Sequence, residues 1–215
     1  MKQILIVTAV DAERAAIERG LDAIGAEAAA IVTLIAGGVG AANAAAATAE
    51  ALAREPYRVA VSAGIAGGFV GAATMGALLV ADRIIAADLG AEDPESPDGF
   101  ASVDSLGFGS AVVDARPISA LDRLGAVRGD LLTVNTVTGS AAGAARLVKR
   151  YPGAVGEAME GFGVAVAASR FGVLAAEVRV VSNLVGPRDR DAWRIGEALA
   201  ALTAATPTLI EGLSS

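Results

Sequence analysis

Few residues in this sequence could do chemistry, because it contains neither histidine nor cysteine. These absences exclude a Ser-His-Asp triad, a thiolate nucleophile and a zinc–thiolate site. In an enzyme of this composition, proton transfer falls to carboxylates. We therefore expect no metal and no cofactor, and we look first at acids and amides beside buried segments.

Two acids, Asp11 and Glu13, directly follow the apolar run "QILIVTAV". They could cap a helix, with Asp11 as the N-cap and Glu13 in the first turn, where the helix dipole favours negative charge. A carboxylate at such a strand–helix junction could also act as a general base. The residues alone leave both interpretations open.

A second pair of acids, Glu157 and Glu160, lies in "GEAMEGFGVAVAASRFG". The spacing i, i+3 predicts both at the start of a helix, where they could be surface acids favoured by the dipole. Glu160, however, stands between Met159 and a small, apolar helix. A buried acid needs hydrogen-bond partners, and ligand hydroxyls could provide them.

A neutral amide ends the apolar run in "VRVVSNLVGPRDRDAW", where Ser182 and Asn183 precede Gly-Pro and four charges. The amide of Asn183 both donates and accepts hydrogen bonds, which suits a heterocyclic ligand. It could equally form an Asx-turn or a helix cap. Arg188 and Arg190 could bind an anionic ligand or pair with neighbouring aspartates at the surface.

The elements that must position these residues alternate between strand and helix. Apolar runs predict strands at 3–10, 30–38, 57–64, 76–90, 130–140 and 174–183, and amphipathic runs predict helices at 11–25, 40–55, 141–150, 161–171 and 189–213. This order predicts a single domain over residues 1–215, a three-layer α/β/α sandwich around a largely parallel mixed sheet. Residues 91–109 lack periodicity and predict a long loop.

Two glycine-rich stretches bear on the ligand class. "AGGVGAANA" follows the second predicted strand and has no acid at the spacing of a dinucleotide site, so we expect no NAD. "SAGIAGGF" predicts a turn whose backbone N–H groups could hold an anion. No Lys or Arg lies between Arg58 and Arg83, which disfavours phosphate there.

Net charge and hydropathy limit the kinds of partner and the location that we expect for this protein. The net charge is −7 without a basic cluster, so we expect no nucleic-acid partner. The apolar stretch 23–53 is interrupted by polar residues, and the N-terminus lacks a cleavage pattern, so we expect neither a membrane span nor a signal peptide. These features predict a cytoplasmic protein.

Six motifs occur in the order "VTAVDAER", "GGVGAANAA", "SAGIAGGF", "PDGF", "AMEG" and "VRVVSNLVG". Over nearly its whole length the chain thereby resembles the purine nucleoside phosphorylase / nucleosidase superfamily. It is similar to the methylthioadenosine/S-adenosylhomocysteine nucleosidases and, through "SNLVGPRDRDAW", more so to the futalosine hydrolases of menaquinone biosynthesis. The resemblance implies a nucleoside phosphorylase-like fold, a homodimer or higher homo-oligomer, and release of hypoxanthine from the purine nucleoside futalosine.

The resemblance also implies roles for single residues. Glu13 would activate the attacking water, Glu160 would hold the ribose hydroxyls with Met159 against the sugar, and Ser182 with Asn183 would address the N7 edge of the purine. Further implied substrate contacts are Val137 and Thr138 along the base, Ile65 in the glycine-rich stretch, and Phe100 in a 5′ pocket of its own or a neighbouring subunit. Arg188 and Arg190 would meet the carboxylate of futalosine's 5′ carboxyphenyl group.

Two departures from the superfamily pattern refine this hypothesis. Phosphorylases carry Arg where this chain has Ser62, which favours water over phosphate as the nucleophile. Adenosine-type nucleosidases carry Asp where this chain has Asn183. An amide can donate to O6 and accept from N7–H, whereas a carboxylate would repel O6, so Asn183 predicts a 6-oxopurine.

Alternatives that remain are a methylthioadenosine-type or inosine nucleosidase, an inosine-type phosphorylase, and a non-catalytic nucleoside-binding protein. Ser62 disfavours the phosphorylase, and the presence of both Glu13 and Glu160 disfavours the non-catalytic protein.

Overall fold

Apolar runs form the central strands of the protein, whose computed structural model describes residues 3–214. The strands are β1 (Ile4–Thr8), β2 (Val32–Ala36), β3 (Val59–Gly68), β4 (Leu78–Ala86), β5 (Gly90–Glu92), β6 (Phe100–Ser102), β7 (Val112–Asp114), β8 (Val127–Thr133), β9 (Ala154–Ala158) and β10 (Leu174–Leu184). The α-helices are α1 (Asp11–Asp22), α2 (Ala26–Ala30), α3 (Ala41–Arg54), α4 (Ala141–Arg150), α5 (Gly161–Arg170) and α6 (Ile195–Ser214). Short 3₁₀ helices span Ser119–Leu124 and Arg190–Ala192.

The main sheet contains two sets of parallel strands that run in opposite directions. Strands β2, β1, β3 and β10 are parallel neighbours, and so are β4, β8 and β9. The sets join through antiparallel pairs, β10 with β4 and β3 with β9, so that β3, β10, β4, β8 and β9 close a ring. The largely parallel mixed sheet is confirmed, but the sequence did not predict that it closes.

Helices cover both faces of the sheet. The side chains of β1, which point alternately to one face and the other, show which helices lie on each face. Ile4 and Ile6 pack into one apolar cluster with residues of α1 and α6. Leu5 and Val7 point the other way and pack with residues of α3 and α5. Because successive side chains of a strand face opposite sides, a strand buried on both faces must be apolar throughout. The three-layer prediction is confirmed on this basis.

Glycines allow the paired helices to approach closely. A Cβ on Gly20 of α1 would overlap Thr206 of α6, and a Cβ on Gly163 of α5 would overlap the backbone of Ala41 in α3. Such contacts need no bulky side chains, which accounts for a core with aromatics at only 4% of the sequence.

Several predicted elements are wrong in their extent or type, among them the strand predicted at 130–140, which spans Val127–Thr133. The stretch 62–68 is strand and not a turn, because β3 continues through it with partners on both edges. Residues 154–158 form β9, so Glu157 is on a strand and not at a helix start. The predicted loop 91–109 includes most of the β5–β6 hairpin, and the closing helix begins at Ile195 rather than 189.

In the part of the chain that the structure describes, no helix has both the length and the apolar character to cross a membrane.

Candidate active site

Glu13 lies in the first turn of α1 with its carboxylate buried against β3. Its Oε2 accepts hydrogen bonds from the backbone N–H groups of Ala9 (2.9 Å) and Val10 (3.3 Å). Its Oε1 accepts from the backbone N–H of Ile65 at 2.8 Å. Glu13 therefore does cap the helix, as one interpretation predicted, but it also faces the middle of β3. Asp11 is not the N-cap, which is Val10.

A second buried carboxylate, that of Glu160, belongs to the same site. Glu160 is the N-cap residue of α5. Its Oε1 accepts from the backbone N–H of Gly40 at 3.1 Å, and its Oε2 accepts from the N–H of Met159 at 3.3 Å. Gly40 has φ +91°, a conformation that glycine adopts without steric cost, and this aims its N–H group at the carboxylate. Glu160 is buried, as an acid with several donors can be.

Arg179 of β10 is the cation that links these acids, and the sequence argument did not single it out. Its guanidinium is 1% exposed, with Nη1 at 3.3 Å from Oε2 of Glu160 and Nε donating to Oε1 of Glu177 at 2.9 Å. Nη2 donates to Oγ of Ser62 at 2.7 Å. A Cβ on Gly64 would overlap the carboxylate of Glu13 and lie 2.9 Å from Nη1 of Arg179. Glycine at this position leaves room beside β3 for the carboxylate of Glu13 and the guanidinium of Arg179.

The site carries more negative than positive charge. Burial lowers the pKa of Arg179, but the fields of Glu177, Glu160 and Glu13 outweigh it, so the pKa is raised and the guanidinium stays charged. Burial raises the pKa of Glu177, against the opposing charge of Arg179. The Oε2 atom of Glu177 has no hydrogen-bond partner among the described residues.

The glycine-rich stretch has no Lys or Arg near it in sequence, but it has an arginine next to it in the fold. Arg179 reaches Ser62 from a neighbouring strand, but three carboxylates surround it.

A bulge in β10 sets the position of Ser182 and Asn183. Val181 is opposite Ala66 of β3 and Asn183 is opposite Gly67, so Ser182 is an extra residue in the ladder. Such bulges redirect side chains at the end of a strand. The hydroxyl of Ser182 donates to Oδ1 of Asn183 at 2.9 Å and so orients the amide. Asn183 lies within the strand and is not a helix cap.

A cavity brings Asn183 together with the segment predicted to line the base. Its lining includes Val137, Thr138, Glu157 and Asn183. Thr138 donates to both oxygens of Glu157, from its backbone N–H at 2.7 Å and from its hydroxyl at 2.7 Å. Burial raises the pKa of Glu157, and the two bonds from Thr138 oppose that rise.

Arg188 lines the same cavity, with its guanidinium 5.7 Å from the ring centroid of Trp193. Arg190 begins the short 3₁₀ helix and is exposed. Within residues 3–214, neither arginine forms an ion pair with Asp189 or Asp191. The surface pairing considered from the sequence is therefore not found.

The remaining predicted residues fall into two groups. Ile65 and Met159 are at the carboxylates, through their backbone N–H groups. Phe100 lies elsewhere, on the β5–β6 hairpin, with the guanidinium of Arg150 3.9 Å from its ring centroid. Within one chain, the structure thus brings Phe100 to Arg150 and not to Asn183.

The missed residues did leave a signal in the sequence. Glu177 and Arg179 stand two apart in "AAEVRVV", where every neighbour is apolar and the strand is buried. Side chains at i and i+2 share a face of a strand, so the pair is placed to form a buried ion pair. Among described residues, no three His, Cys, Asp or Glu side chains are grouped so that they could hold a metal ion.

The arrangement can polarise a water molecule at Glu13, hold hydroxyl groups at Glu160, and present a donor and an acceptor to a ring at Asn183. A cationic intermediate between the two glutamates would be stabilised by their charge.

Comparisons with known proteins identify the family of the chain. The family profile of the phosphorylase superfamily matches residues 8–212. The chain is 51% identical to the futalosine hydrolase of Streptomyces coelicolor, over 99% of this chain and 97% of that protein. It is 47% identical to the futalosine hydrolase of Acidothermus cellulolyticus, over 91% of this chain and 85% of that protein.

Solved structures show the same fold at low identity. A mutant 5′-methylthioadenosine nucleosidase of Helicobacter pylori, with 5′-methylthioadenosine in its active site, superposes with a TM-score of 0.81 at 16% identity, covering 98% of this chain and 99% of that one. A mutant futalosine hydrolase of the same organism gives 0.80 at 16% identity, with the same coverage.

Proposed function

Because the chain belongs to the phosphorylase superfamily and, within it, to the futalosine hydrolases, we propose that it hydrolyses the N-glycosidic bond of futalosine. The products would be hypoxanthine and dehypoxanthinyl futalosine, a step of menaquinone biosynthesis. The observation that carries the proposal is the meeting of Glu13 and Glu160, 147 positions apart in sequence, at one buried arginine beside β3.

Glu13 acts as the general base. The oxygen of a water molecule adds to C1′ of the ribose while Glu13 takes one of its protons. The N–H groups of Ala9, Val10 and Ile65 fix the carboxylate, so that little reorganisation is needed as the proton transfers.

Glu160 binds the 2′- and 3′-hydroxyls of the ribose. As the bond from C1′ to the base breaks, positive charge develops on the ring, as in other glycoside cleavage. The negative charge of Glu160 and Glu13 lies next to that ring and stabilises it. Nη1 of Arg179 lies 3.3 Å from Oε2 of Glu160 and holds that carboxylate in position.

Asn183 stabilises the leaving base. The electron pair of the broken bond moves into hypoxanthine, which takes up a proton at N7 from solvent, and the proton that Glu13 has taken from the water returns to solvent. The amide oxygen of Asn183, oriented by Ser182, accepts from N7–H while the amide N–H donates to O6. Val137 and Thr138 line the same cavity and contact the base.

Water rather than phosphate is the nucleophile. Three carboxylates, those of Glu13, Glu160 and Glu177, surround the single cation at this place. A phosphate dianion would be repelled by that charge, whereas a neutral water molecule would not.

The substrate carboxylate would be met by one of two unpaired arginines. Arg188 lines the cavity that contains Asn183, so under this proposal it would lie near the base, whereas Arg190 is not among the residues that line that cavity. This difference favours Arg190 as the partner of the 5′ carboxylate.

The active unit is a cytoplasmic homodimer or higher homo-oligomer. Phe100 is on a hairpin that forms a separate two-stranded sheet, and Phe108 near it is 82% exposed. A hairpin of this kind could complete the 5′ pocket of a neighbouring subunit. Light scattering of the purified protein would measure the oligomeric state.

The test is release of the free base, which is hypoxanthine from futalosine and inosine and adenine from methylthioadenosine, each measured with and without phosphate. We expect futalosine to give by far the highest kcat/KM, with no dependence on phosphate. A requirement for phosphate would establish a phosphorylase, preference for inosine or methylthioadenosine would establish a different nucleosidase, and binding without cleavage would establish a non-catalytic protein.

A further inference from the structure

Glu157, Gly67 and Asn183 stand side by side on three neighbouring strands. Gly67 of β3 is the register partner of Glu157 on β9 and of Asn183 on β10. We propose that Glu157 is a second residue that reads the base, by accepting a hydrogen bond from N1–H of a 6-oxopurine lying over Gly67. The proposal rests on the function proposed above and adds to it a determinant of substrate choice.

The geometry makes a slot for a flat ring. Register partners point to the same face of a sheet, and neighbouring strands are about 4.8 Å apart, which separates the Cα atoms of Glu157 and Asn183 by roughly 10 Å. Gly67 between them has no side chain to fill the gap. A Cβ there would lie 2.9 Å from Cγ2 of Val185, 3.3 Å from Nδ2 of Asn183 and 3.6 Å from Cγ of Glu157. Gly67 lines the same cavity as Glu157 and Asn183, so a side chain at this position would enter the space between the two polar groups.

The carboxylate of Glu157 is held in place by hydrogen bonds and can accept further ones. Thr138 donates to each of its oxygens, and both bonds are 2.7 Å long. A carboxylate offers about four lone-pair sites, so each oxygen can accept once more. Glu157 is 5% exposed and lines the cavity that also contains Asn183. An N–H group of a ligand in that cavity would donate to one of the remaining lone pairs.

The two residues together would select one class of purine. In hypoxanthine N1 carries a hydrogen and C6 carries an oxygen, and in adenine N1 is an acceptor and C6 carries an amino group. The carboxylate of Glu157 accepts from the first N1 and is repelled by the second. Asn183 reads O6 and N7 along the same edge of the ring. The substrate class is therefore a 6-oxopurine nucleoside with an unsubstituted N1.

Calorimetric binding of free hypoxanthine and free adenine tests the proposal. For Glu157→Gln we expect hypoxanthine to bind about tenfold to a hundredfold more weakly, the loss typical of a charged hydrogen bond, while adenine binds as before or more tightly. Glu50→Gln, on the exposed side of α3, is the matched control and should change neither affinity. An unchanged ratio of the two affinities in Glu157→Gln would overturn the proposal.

The wild-type protein provides a test that does not depend on how the variant folds. It should bind 1-methylhypoxanthine at least tenfold more weakly than hypoxanthine, since the methyl group removes the N1 donor and meets Glu157. Equal binding would overturn the role of Glu157. Because free bases are used, a failure to cleave futalosine would overturn the proposed function without changing this result.

Discussion

Nη1 of Arg179 lies 3.3 Å from Oε2 of Glu160, and the two side chains are 1% and 7% exposed. A buried charge needs a partner, and here one guanidinium serves Glu160, Glu177 and, at longer range, Glu13. The acids that the proposed reaction uses are thus held in place by a residue that would not touch the substrate.

Removing this cation should destabilise the fold. We expect Arg179→Met to lower the free energy of unfolding by about 3–5 kcal/mol, because three buried carboxylates lose their counter-charge. Urea denaturation measures the change. Arg54→Met is the control, since Arg54 is 74% exposed, and should cost about 0.5 kcal/mol or less. Equal costs for the two variants would contradict the buried network.

Substitution of the proposed base should reduce turnover more than binding. Glu13→Gln keeps an oxygen for the surrounding N–H groups but cannot take a proton, so kcat should fall by about 10²–10⁴-fold while KM changes little. Steady-state kinetics with futalosine provide the measurement. Glu18→Gln, on the exposed side of α1, should retain full activity. Near-normal kcat in Glu13→Gln would remove Glu13 from the reaction.

Introducing a negative charge at position 183 should change the preference between 6-oxopurine and 6-aminopurine nucleosides. A carboxylate at this position repels O6 and accepts from an N6 amino group, so Asn183→Asp should shift the ratio of kcat/KM toward 6-aminopurine nucleosides by about a hundredfold or more. Inosine and adenosine would be compared as a matched substrate pair. If the preference stays the same, Asn183 does not read the base.

The partner of the substrate carboxylate can be found by removing each arginine separately. We expect Arg190→Ala to raise KM for futalosine about tenfold, with kcat nearly unchanged and KM for inosine unaffected, because only futalosine carries the carboxylate. Arg188→Ala should affect both nucleosides, since Arg188 lines the cavity beside the base-reading residues. Unaltered KM for futalosine in both variants would exclude the two arginines from this role.

Close helix packing should make one glycine irreplaceable. Gly163→Ala puts a Cβ into the backbone of Ala41, and we expect a loss of about 1–3 kcal/mol in the free energy of unfolding. Gly196→Ala, in α6 with nothing near the new Cβ, should be neutral or stabilising by up to about 1 kcal/mol. Thermal denaturation of both variants gives the comparison, and equal effects would rule out packing as the cause.

Local patterns in the sequence were sufficient for the fold class and for several site residues. Continuous apolar runs predicted the main strands, and their alternation with helices predicted the layers, because burial on both faces depends on residue type alone. The acids Glu13 and Glu160 and the amide Asn183 stood out because a polar side chain beside a buried segment is costly unless it has hydrogen-bond partners.

Only the tertiary structure decided how these residues meet. Two sets of parallel strands run in opposite directions and close a ring, so β1 pairs with the first half of β3 and β9 with its last two residues. Glu157 looked like a helix residue because "GEAME" resembles a helix start, yet pairing with β3 and β8 makes it a strand residue.

Arg179 contacts Glu160 and lies within range of the charge of Glu13, which is more than a hundred positions away in sequence, an arrangement that no local spacing encodes. The sequence by itself determined which chemical groups this protein has, and the register of the closed sheet determined which of them are neighbours.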